Sequence, residues 1–296
     1  MKTRETAEQP HSAGGTVDSG VLFNLNSLTC RYRKQVALDN ISVELPAGKL
    51  IGVCGYSGSG KSTLLNTLGL LRYGKQSFDG TIELMLPEQT CDYNNLNSEI
   101  RKTLRQEKFG FVLQSSYLLP NITSQHNIEM PLLIQEKLRQ DSGDQVKTLL
   151  ASLHQDEGES DLLPVLNRLP KEAAGGQRQR IAILRALIHN PSIVFADEPC
   201  SNLDPNNAES VMLLLKGWLA AGNGESEKQR DRTILLVSHD TESVIKFADK
   251  ILVLRQGKIV ADKLFDRSDF SPDPAKARAR LETLMKSGPI NNPTDR

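Results

Sequence analysis

The chain has 296 residues, enough to bury a sizeable core as one large domain or two ordinary ones. Lysine plus arginine and aspartate plus glutamate are equal at 36 each, so no overall basic field indicates nucleic acid as the main partner. The apolar runs are far shorter than the roughly 20 residues that span a bilayer, and the four cysteines are scattered without C-x-x-C spacing. The composition therefore favours one soluble domain with tails and argues against a membrane-spanning protein or a structural zinc site.

The N-terminal region is predicted to begin with a flexible leader over residues 1–20, because this stretch is polar and lacks the apolar segment of a secretory signal. Partial apolar alternation over 21–25 and 41–45 then predicts antiparallel strands beside the core. Tyr32 stands among polar residues between them. Two interpretations of Tyr32 stay open: a ring that stacks on adenine, or a half-buried strand tyrosine.

A phosphate-binding pattern follows at residues 55–62, where Gly-Tyr-Ser-Gly-Ser-Gly-Lys-Ser fits G-x-x-x-x-G-K-[ST] without a gap. A short buried strand over 49–54 precedes it and an opening helix over 62–68 follows, which is the context that the motif requires. The glycines let consecutive N–H groups face a polyphosphate. Lys61 is expected to reach the β- and γ-phosphates, and the Ser62 hydroxyl to coordinate Mg²⁺. The predicted nucleotide-binding residues here are Gly55, Ser57, Gly58, Ser59, Gly60, Lys61, Ser62 and Thr63.

The middle of the chain is predicted to carry an edge strand over 80–85 and then a polar connection. Residues 108–114 form a buried strand that ends on Gln114. From about residue 118 to residue 186 the pattern becomes mostly helical. We therefore expect a helical insertion in an α/β core.

Two apolar strands in the second half end in polar side chains. Asp197 and Glu198 stand near the C-terminal end of the run 191–199, and His239 stands near the C-terminal end of the run 233–240. In an open parallel sheet ligands lie beyond the carboxyl ends of the strands, so these groups are expected to face the bound phosphates. Adjacent side chains on a regular strand point to opposite faces. The chain must therefore leave strand geometry at the two carboxylates if both serve one site.

The last third is predicted to contain a helix from about 205 to 219, a solvated loop over 221–232 and a terminal hairpin over 251–261. From residue 266 the chain reads as a polar tail. One short amphipathic segment, Ala275 to Met285, is expected to pack on its own domain or stay marginal rather than bind a membrane.

With these motifs placed, residues 22–262 resemble the ATP-binding subunits of ABC transporters. The order matches that family: an aromatic A-loop, the phosphate loop, a Q-loop, a signature segment, two carboxylates, a D-loop and a switch histidine. These motifs fall at Tyr32, 55–62, Gln114, 173–177, Asp197 with Glu198, 201–204 and His239. Residues 109–114, 118–120 and 130–133 resemble the lipoprotein-releasing, macrolide-efflux and cell-division branch of that family.

The resemblance implies an α/β fold: a P-loop NTPase core with a mainly parallel sheet, an antiparallel β subdomain and an inserted helical subdomain, over residues 21–265. The resemblance also implies a role for each of the site residues. Ser62, Gln114 and Asp197 would hold Mg²⁺, Glu198 would be the general base for attacking water, and His239 would sense the γ-phosphate. The signature residues would complete the ATP site of a second subunit; they are Ala174, Gly175, Gly176 and Gln177.

The signature segment departs from the family pattern. Leu-Ser-Gly-Gly-Gln or Glu is usual, whereas this chain has alanines at 173 and 174, so the serine hydroxyl is missing. Such signatures often belong to asymmetric pairs, which leaves homodimer and heterodimer both open and puts full turnover in doubt. A second departure is His126, where this branch commonly has glutamate.

The function that the resemblance implies is an ATPase that dimerises on ATP and drives a separate membrane subunit, in export or lipoprotein and envelope transport. It would lie on the cytoplasmic face of the membrane, with no nucleic-acid partner. A second hypothesis is a regulator that binds ATP with slow or no turnover. A third, an ABC protein acting on DNA or ribosomes, is weakened by the neutral charge and the single nucleotide domain.

Overall fold

The computed structural model describes residues 20–33, 35–71, 76–135, 142–153, 162–222 and 232–287. The strands in these ranges are β1 Val21–Tyr32, β2 Gln35–Pro46, β3 Leu50–Cys54, β4 Gln76–Leu86, β5 Gln89–Asp92, β6 Phe109–Val112, β7 Ile193–Asp197, β8 Thr233–Val237, β9 Lys250–Arg255, β10 Lys258–Ile259 and β11 Phe265–Asp266. The helices are α1 Lys61–Leu68, α2 Ser98–Thr103, α3 Ser124–Ile134, α4 Ser142–Leu153, α5 Gly175–Leu187, α6 Pro205–Gly222, α7 Thr241–Phe247 and α8 Pro274–Ser287.

The central sheet is built on five parallel strands in the order β9, β3, β8, β7, β6. Every residue of β3 and β8 is buried, as expected for parallel strands covered on both faces. At one end β10 and β11 pair antiparallel to β9. The predicted terminal hairpin over 251–261 therefore forms from β9 and β10.

The antiparallel sheet has the order β2, β1, β4, β5 and lies beside the central sheet. Leu64 and Leu68 of α1, together with Phe23 of β1 and Phe195 of β7, fill one core between the two sheets. The expected edge strand over 80–85 is wrong in its placement, because β4 is flanked on both sides. The edge on this side is β5, which follows β4 after a two-residue turn and contributes the buried Cys91. The polar sequence around Cys91 gave no strand signal.

The helices form a second core on the other face of the central sheet. Its largest side chain is Trp218 of α6, which packs among residues of α4, α5 and α7. The region from 118 to 186 contains α3, α4 and all but the last residue of α5, which matches the predicted helical insertion. The α/β class with its three parts is thus confirmed.

The C-terminal boundary at residue 265 is corrected by α8. The alanine, leucine and methionine at 277, 281 and 285 are buried in the helical core, against α7 and β9. Their spacing of four residues places them on one helix face. The folded domain therefore continues to Ser287, and the amphipathic segment uses its apolar face for the core.

Two predicted segments lie mostly outside the described residues: the leader over 1–20, apart from Gly20, and the loop over 221–232, apart from its ends. None of the described helices combines the length and the apolar character that crossing a membrane requires.

Candidate functional site

Most of the predicted site residues, apart from the signature segment, meet at one edge of the central sheet. The neighbouring strands β6, β7, β8 and β3 all end there, and each is followed by predicted site residues: Gln114, Glu198, His239 and the phosphate loop 55–60. Together with Asp197, the last residue of β7, Gln114, Glu198, His239 and residues 57–60 of the loop line one cleft of about 560 Å³. Gly55 is not among the lining residues. Parallel strands bring their carboxyl ends to the same edge, so sequence-distant residues converge.

The phosphate loop depends on glycine at two positions. At Gly55, with φ of 154°, a Cβ atom would lie 2.3 Å from the carbonyl oxygen of Leu254. At Gly60, with φ of 103°, it would lie 2.6 Å from the carbonyl oxygen of Ala37. Neither position accepts a side chain without moving backbone. The loop is therefore pressed between β9 and β2, and α1 begins directly after it at Lys61.

The Lys61 ammonium turns back onto the loop. Its Nζ donates to the carbonyl oxygens of Gly55, at 2.8 Å, and Tyr56, at 3.1 Å. Inside the same loop, Ser59 Oγ is buried and has no hydrogen-bond partner among the described residues. An ammonium on carbonyls and an unsatisfied hydroxyl beside a helix N-terminus form a donor set that suits phosphate oxygens.

Two of the three candidate Mg²⁺ ligands, Ser62 and Asp197, are in contact. Ser62 Oγ donates to Asp197 Oδ1 at 3.2 Å, and both side chains line the cleft with Gln114. Burial raises the pKa of Asp197 and nearby Glu198 adds to the rise, while the Ser62 hydrogen bond and Lys61 oppose it. A hydroxyl, a carboxylate and an amide oxygen are the hard ligands that Mg²⁺ prefers. These residues therefore fit the ion.

Glu198 has left-handed backbone geometry, with φ of 52°, directly after the end of β7. The expectation that the chain leaves strand geometry at the carboxylate pair is thus confirmed, and Asp197 and Glu198 both face the cleft. His239 Nδ1 and Glu198 Oε2 are hydrogen-bonded. Since an ionised carboxylate can only accept, the Nδ1 atom carries the proton. The glutamate side chain is 17% exposed and the histidine 64%, so the carboxylate is the more enclosed partner of the pair.

We expect Asp197→Asn to raise the stability of the metal-free protein at neutral pH. A raised folded-state pKa means that the protonated carboxyl stabilises the native state at low pH, and that this stabilisation is lost as pH rises through the folded pKa. The neutral amide of the variant does not ionise, so it avoids that loss. The difference in stability between the variant and the wild type should therefore shrink toward pH 4. Thermal unfolding with a chelator, from pH 4 to 8, measures this. An advantage of the variant that grows toward low pH would contradict it.

Tyr32 and the first residues of β2 also line the cleft. Tyr32 is half-buried at the end of β1 and pairs with Gln35 across the hairpin. Gln35, Val36 and Ala37 also line the cleft. These three were missed from the sequence because no motif marks them. The feature that could have identified them is their position opposite Tyr32 in a hairpin. That position is known only when the register of the two strands is known.

The signature segment lies away from this cleft. Ala174 is the N-cap of α5, and its N–H donates to Gln177 Oε1 at 3.0 Å. A Cβ atom on Gly176 would lie 2.1 Å from Asn207 Oδ1, so α6 packs directly on this glycine. Ala174, Gly175, Gly176 and Gln177 are thus not part of the nucleotide cleft of their own chain.

Comparison with known proteins gives a consistent result. Residues 38–201 match the family model described as ABC transporter. The chain is 35% identical over 230 residues to the uncharacterized ABC transporter ATP-binding protein MJ1508 of Methanocaldococcus jannaschii, covering 77% of this chain and 91% of that protein. It is 32% identical over 265 residues to the macrolide export ATP-binding/permease protein MacB of Burkholderia pseudomallei, covering 86% of this chain and 36% of MacB.

A similar partial match is the probable syringafactin export ATP-binding/permease protein SyfD of Pseudomonas syringae, at 32% identity over 91% of this chain and 38% of SyfD. The chain thus spans little more than a third of the length of MacB and SyfD. Among solved structures, the dimeric post-hydrolysis state of the ATP-binding cassette MJ0796, bound to ADP and Pi, has a TM-score of 0.65 at 28% identity. The match covers 83% of this chain and 99% of that one.

Proposed function

We propose, since this chain belongs to the ABC transporter family of ATP-binding proteins, that it binds ATP with Mg²⁺ and hydrolyses it to power a separate membrane subunit of an export system. The observation that carries the proposal is the convergence of four strand ends. They bring the phosphate loop, the candidate Mg²⁺ ligands, a carboxylate and a histidine to one cleft.

Phosphoryl transfer to water needs mainly positioning and charge neutralisation. Lys61 would leave its carbonyl partners for the β- and γ-phosphates. Ser62, Asp197 and Gln114 would hold Mg²⁺, which would offset the negative charge of the phosphates. Glu198 would accept a proton from the attacking water, whose oxygen bonds to the γ-phosphorus as the bond to the β–γ bridging oxygen breaks. The products are ADP and phosphate.

His239 would keep Glu198 in place during this step. Its Nδ1–H donates to the carboxylate, and its largely exposed ring is open toward the cleft. When both ring nitrogens carry protons, Nε2 could also donate to a γ-phosphate oxygen. The proposed sensing role rests on this geometry.

A second subunit would be needed for full activity. The signature residues lie outside their own cleft, which supports a role at the ATP site of another chain, and MJ0796 was solved as a dimer with ADP and phosphate. Ala174 offers no hydroxyl there. Gly175 and the N-terminus of α5 would still face an anion. The site completed by this chain would therefore have one hydrogen-bond donor fewer than usual, which fits an unequal pair.

The surface proposed for the membrane partner lies next to Gln114. Tyr117 is 68% exposed and Leu119 46% exposed, and at the C-terminal end of α3 Leu133 and Ile134 are more than half exposed. Asn127 of α3 fixes Leu119 through two hydrogen bonds to its backbone, and Arg185 of α5 holds the carbonyl oxygen of Tyr117. Exposed apolar residues on a braced segment are typical of an interaction surface.

The proposal is tested by purifying the chain from membranes with its bound partner and measuring Mg²⁺-dependent ATP hydrolysis. The double variant Leu133→Ser with Ile134→Ser should lose the membrane protein and keep ATP binding. A matched control is Leu213→Ser, because Leu213 is equally exposed on α6. Retention of the partner by the double variant would contradict the proposed surface, and no nucleotide binding by the wild type would contradict the whole function.

A regulator that binds ATP with weak turnover is the second candidate, and the missing hydroxyl at Ala174 favours it. The two candidates differ in rate. Turnover that stays low after reconstitution with the membrane partner in lipid would support the regulator, whereas stimulated turnover would support the transporter.

A further inference from the structure

The turn between β9 and β10 contacts two segments that line the nucleotide cleft, the phosphate loop and β2. It consists of Gln256 and Gly257, both with left-handed backbone geometry at φ of 49° and 78°. The Gly257 N–H donates to the carbonyl oxygen of Ser59 in the phosphate loop, at 3.1 Å. Its carbonyl oxygen accepts from the Asp39 N–H of β2, at 2.8 Å. A single peptide segment thus bridges the phosphate loop and β2.

The space around this bridge admits only glycine. A Cβ atom on Gly257 would lie 2.9 Å from the carbonyl oxygen of Ala37 and 3.3 Å from the Cα atom of Leu38. Both contacts are to backbone, so neither can yield by a side-chain rotation. An L residue would also be strained at this φ. The fit therefore requires a glycine at residue 257.

Ala37, whose carbonyl group lies against Gly257, is also part of the cleft lining. It lines the cleft with Gln35 and Val36, and its carbonyl oxygen also lies against Gly60 of the phosphate loop. Gly60 and Gly257 therefore approach the same carbonyl group. The separation between the phosphate loop and the start of β2 is set by these two glycines and the two hydrogen bonds.

We propose that the Gln256–Gly257 turn is a spacer that fixes the distance between two ends of the cleft: the phosphate end, formed by the phosphate loop, and a base end, formed by Tyr32 and residues 35–37, where the Tyr32 ring would stack on the adenine of ATP. This inference rests on the proposed ATP binding. A ligand that occupies both ends, such as ATP, depends on that distance. Inorganic triphosphate occupies only the phosphate end, where Lys61 and the N-terminus of α1 stay in place. Gly257 is thus a positioning residue that touches no ligand atom.

The test compares the affinities of Mg²⁺ with ATP and Mg²⁺ with inorganic triphosphate by titration calorimetry. Gly257→Val should weaken ATP binding by about tenfold, the scale of losing one base contact, and change triphosphate binding by less than about twofold. Gly257→Ala is a milder change, for use if the valine variant does not fold. It should shift the ratio of the ATP affinity to the triphosphate affinity in the same direction. Thermal unfolding checks that each variant is folded.

Lys258→Ala is the matched control. Lys258 follows the turn and pairs with Asp39 at 3.2 Å, but both side chains are well exposed and such pairs contribute little. Its affinity ratio should equal that of the wild type. Equal weakening of both ligands by the Gly257 variants, or no weakening of either, would overturn the spacer role. A wild type that binds neither ligand would instead remove the proposed function, and the inference with it.

Discussion

Replacing Glu198 with glutamine should leave ATP binding intact and slow hydrolysis by a factor of about 10²–10⁴, the usual contribution of a general base. The amide keeps the size of the side chain and can still contact His239, but it cannot take a proton from water. The left-handed backbone at Glu198 that directs the side chain into the cleft should be retained. Single-turnover hydrolysis of labelled ATP measures the effect.

Glu209→Gln provides the control for that experiment. Glu209 is exposed and pairs with Lys246 on the surface, away from the cleft. Its loss should leave the rate unchanged. Turnover of the Glu198 variant equal to wild type, in a preparation free of contaminating ATPase, would remove Glu198 from the role of base.

Replacing Lys61 with alanine should weaken ATP binding by on the order of 10² or more, because each charge-assisted hydrogen bond to phosphate is worth about 1.5–3 kcal/mol. The same change removes the two bonds from Nζ to the carbonyl oxygens of Gly55 and Tyr56. A small loss of stability should accompany the loss of affinity. Titration with ATP and thermal unfolding without ligand separate the two effects.

Lys216→Ala is a suitable comparison for Lys61→Ala. Lys216 lies on α6 and pairs with Asp249 at 3.0 Å, so it tests the loss of a partly exposed lysine outside the cleft. Its ATP affinity should match the wild type. Equal ATP affinity in the wild type and the Lys61 variant would contradict the assignment of the phosphate loop.

Much of the fold and site could be predicted because the informative residues are local. The phosphate loop is continuous in sequence, and Asp197 and His239 each end an apolar run, so parallel-strand geometry alone brings them together. Gln35, Val36 and Ala37 could not be predicted, because their place in the cleft depends on the β1–β2 register. The bridging role of Gly257 depends on two hydrogen bonds to residues about 200 positions earlier in the chain, which no local pattern records.

The edge of the antiparallel sheet and the end of the domain were misplaced for a related reason. β5 has four residues and little apolar alternation, and it exists because β4 offers a partner. Most of α8 is polar, and a helix of this length is marginal alone. Three buried side chains on one face decide its position, and the surface against which they pack is formed by α7 and β9.

The packing of α8 also limits how this protein can be shortened. Cutting the chain before Pro274 would leave the apolar surface of α7 open to water, and exposed surfaces of that kind promote aggregation. It would also release α7, which begins two residues after His239 and is linked to α8 by Arg278 and Glu242 at 3.8 Å. Such a fragment would combine poor solubility with a loosened histidine. An affinity tag is better placed beyond Ser287, because there it does not disturb the packing of α8 on α7.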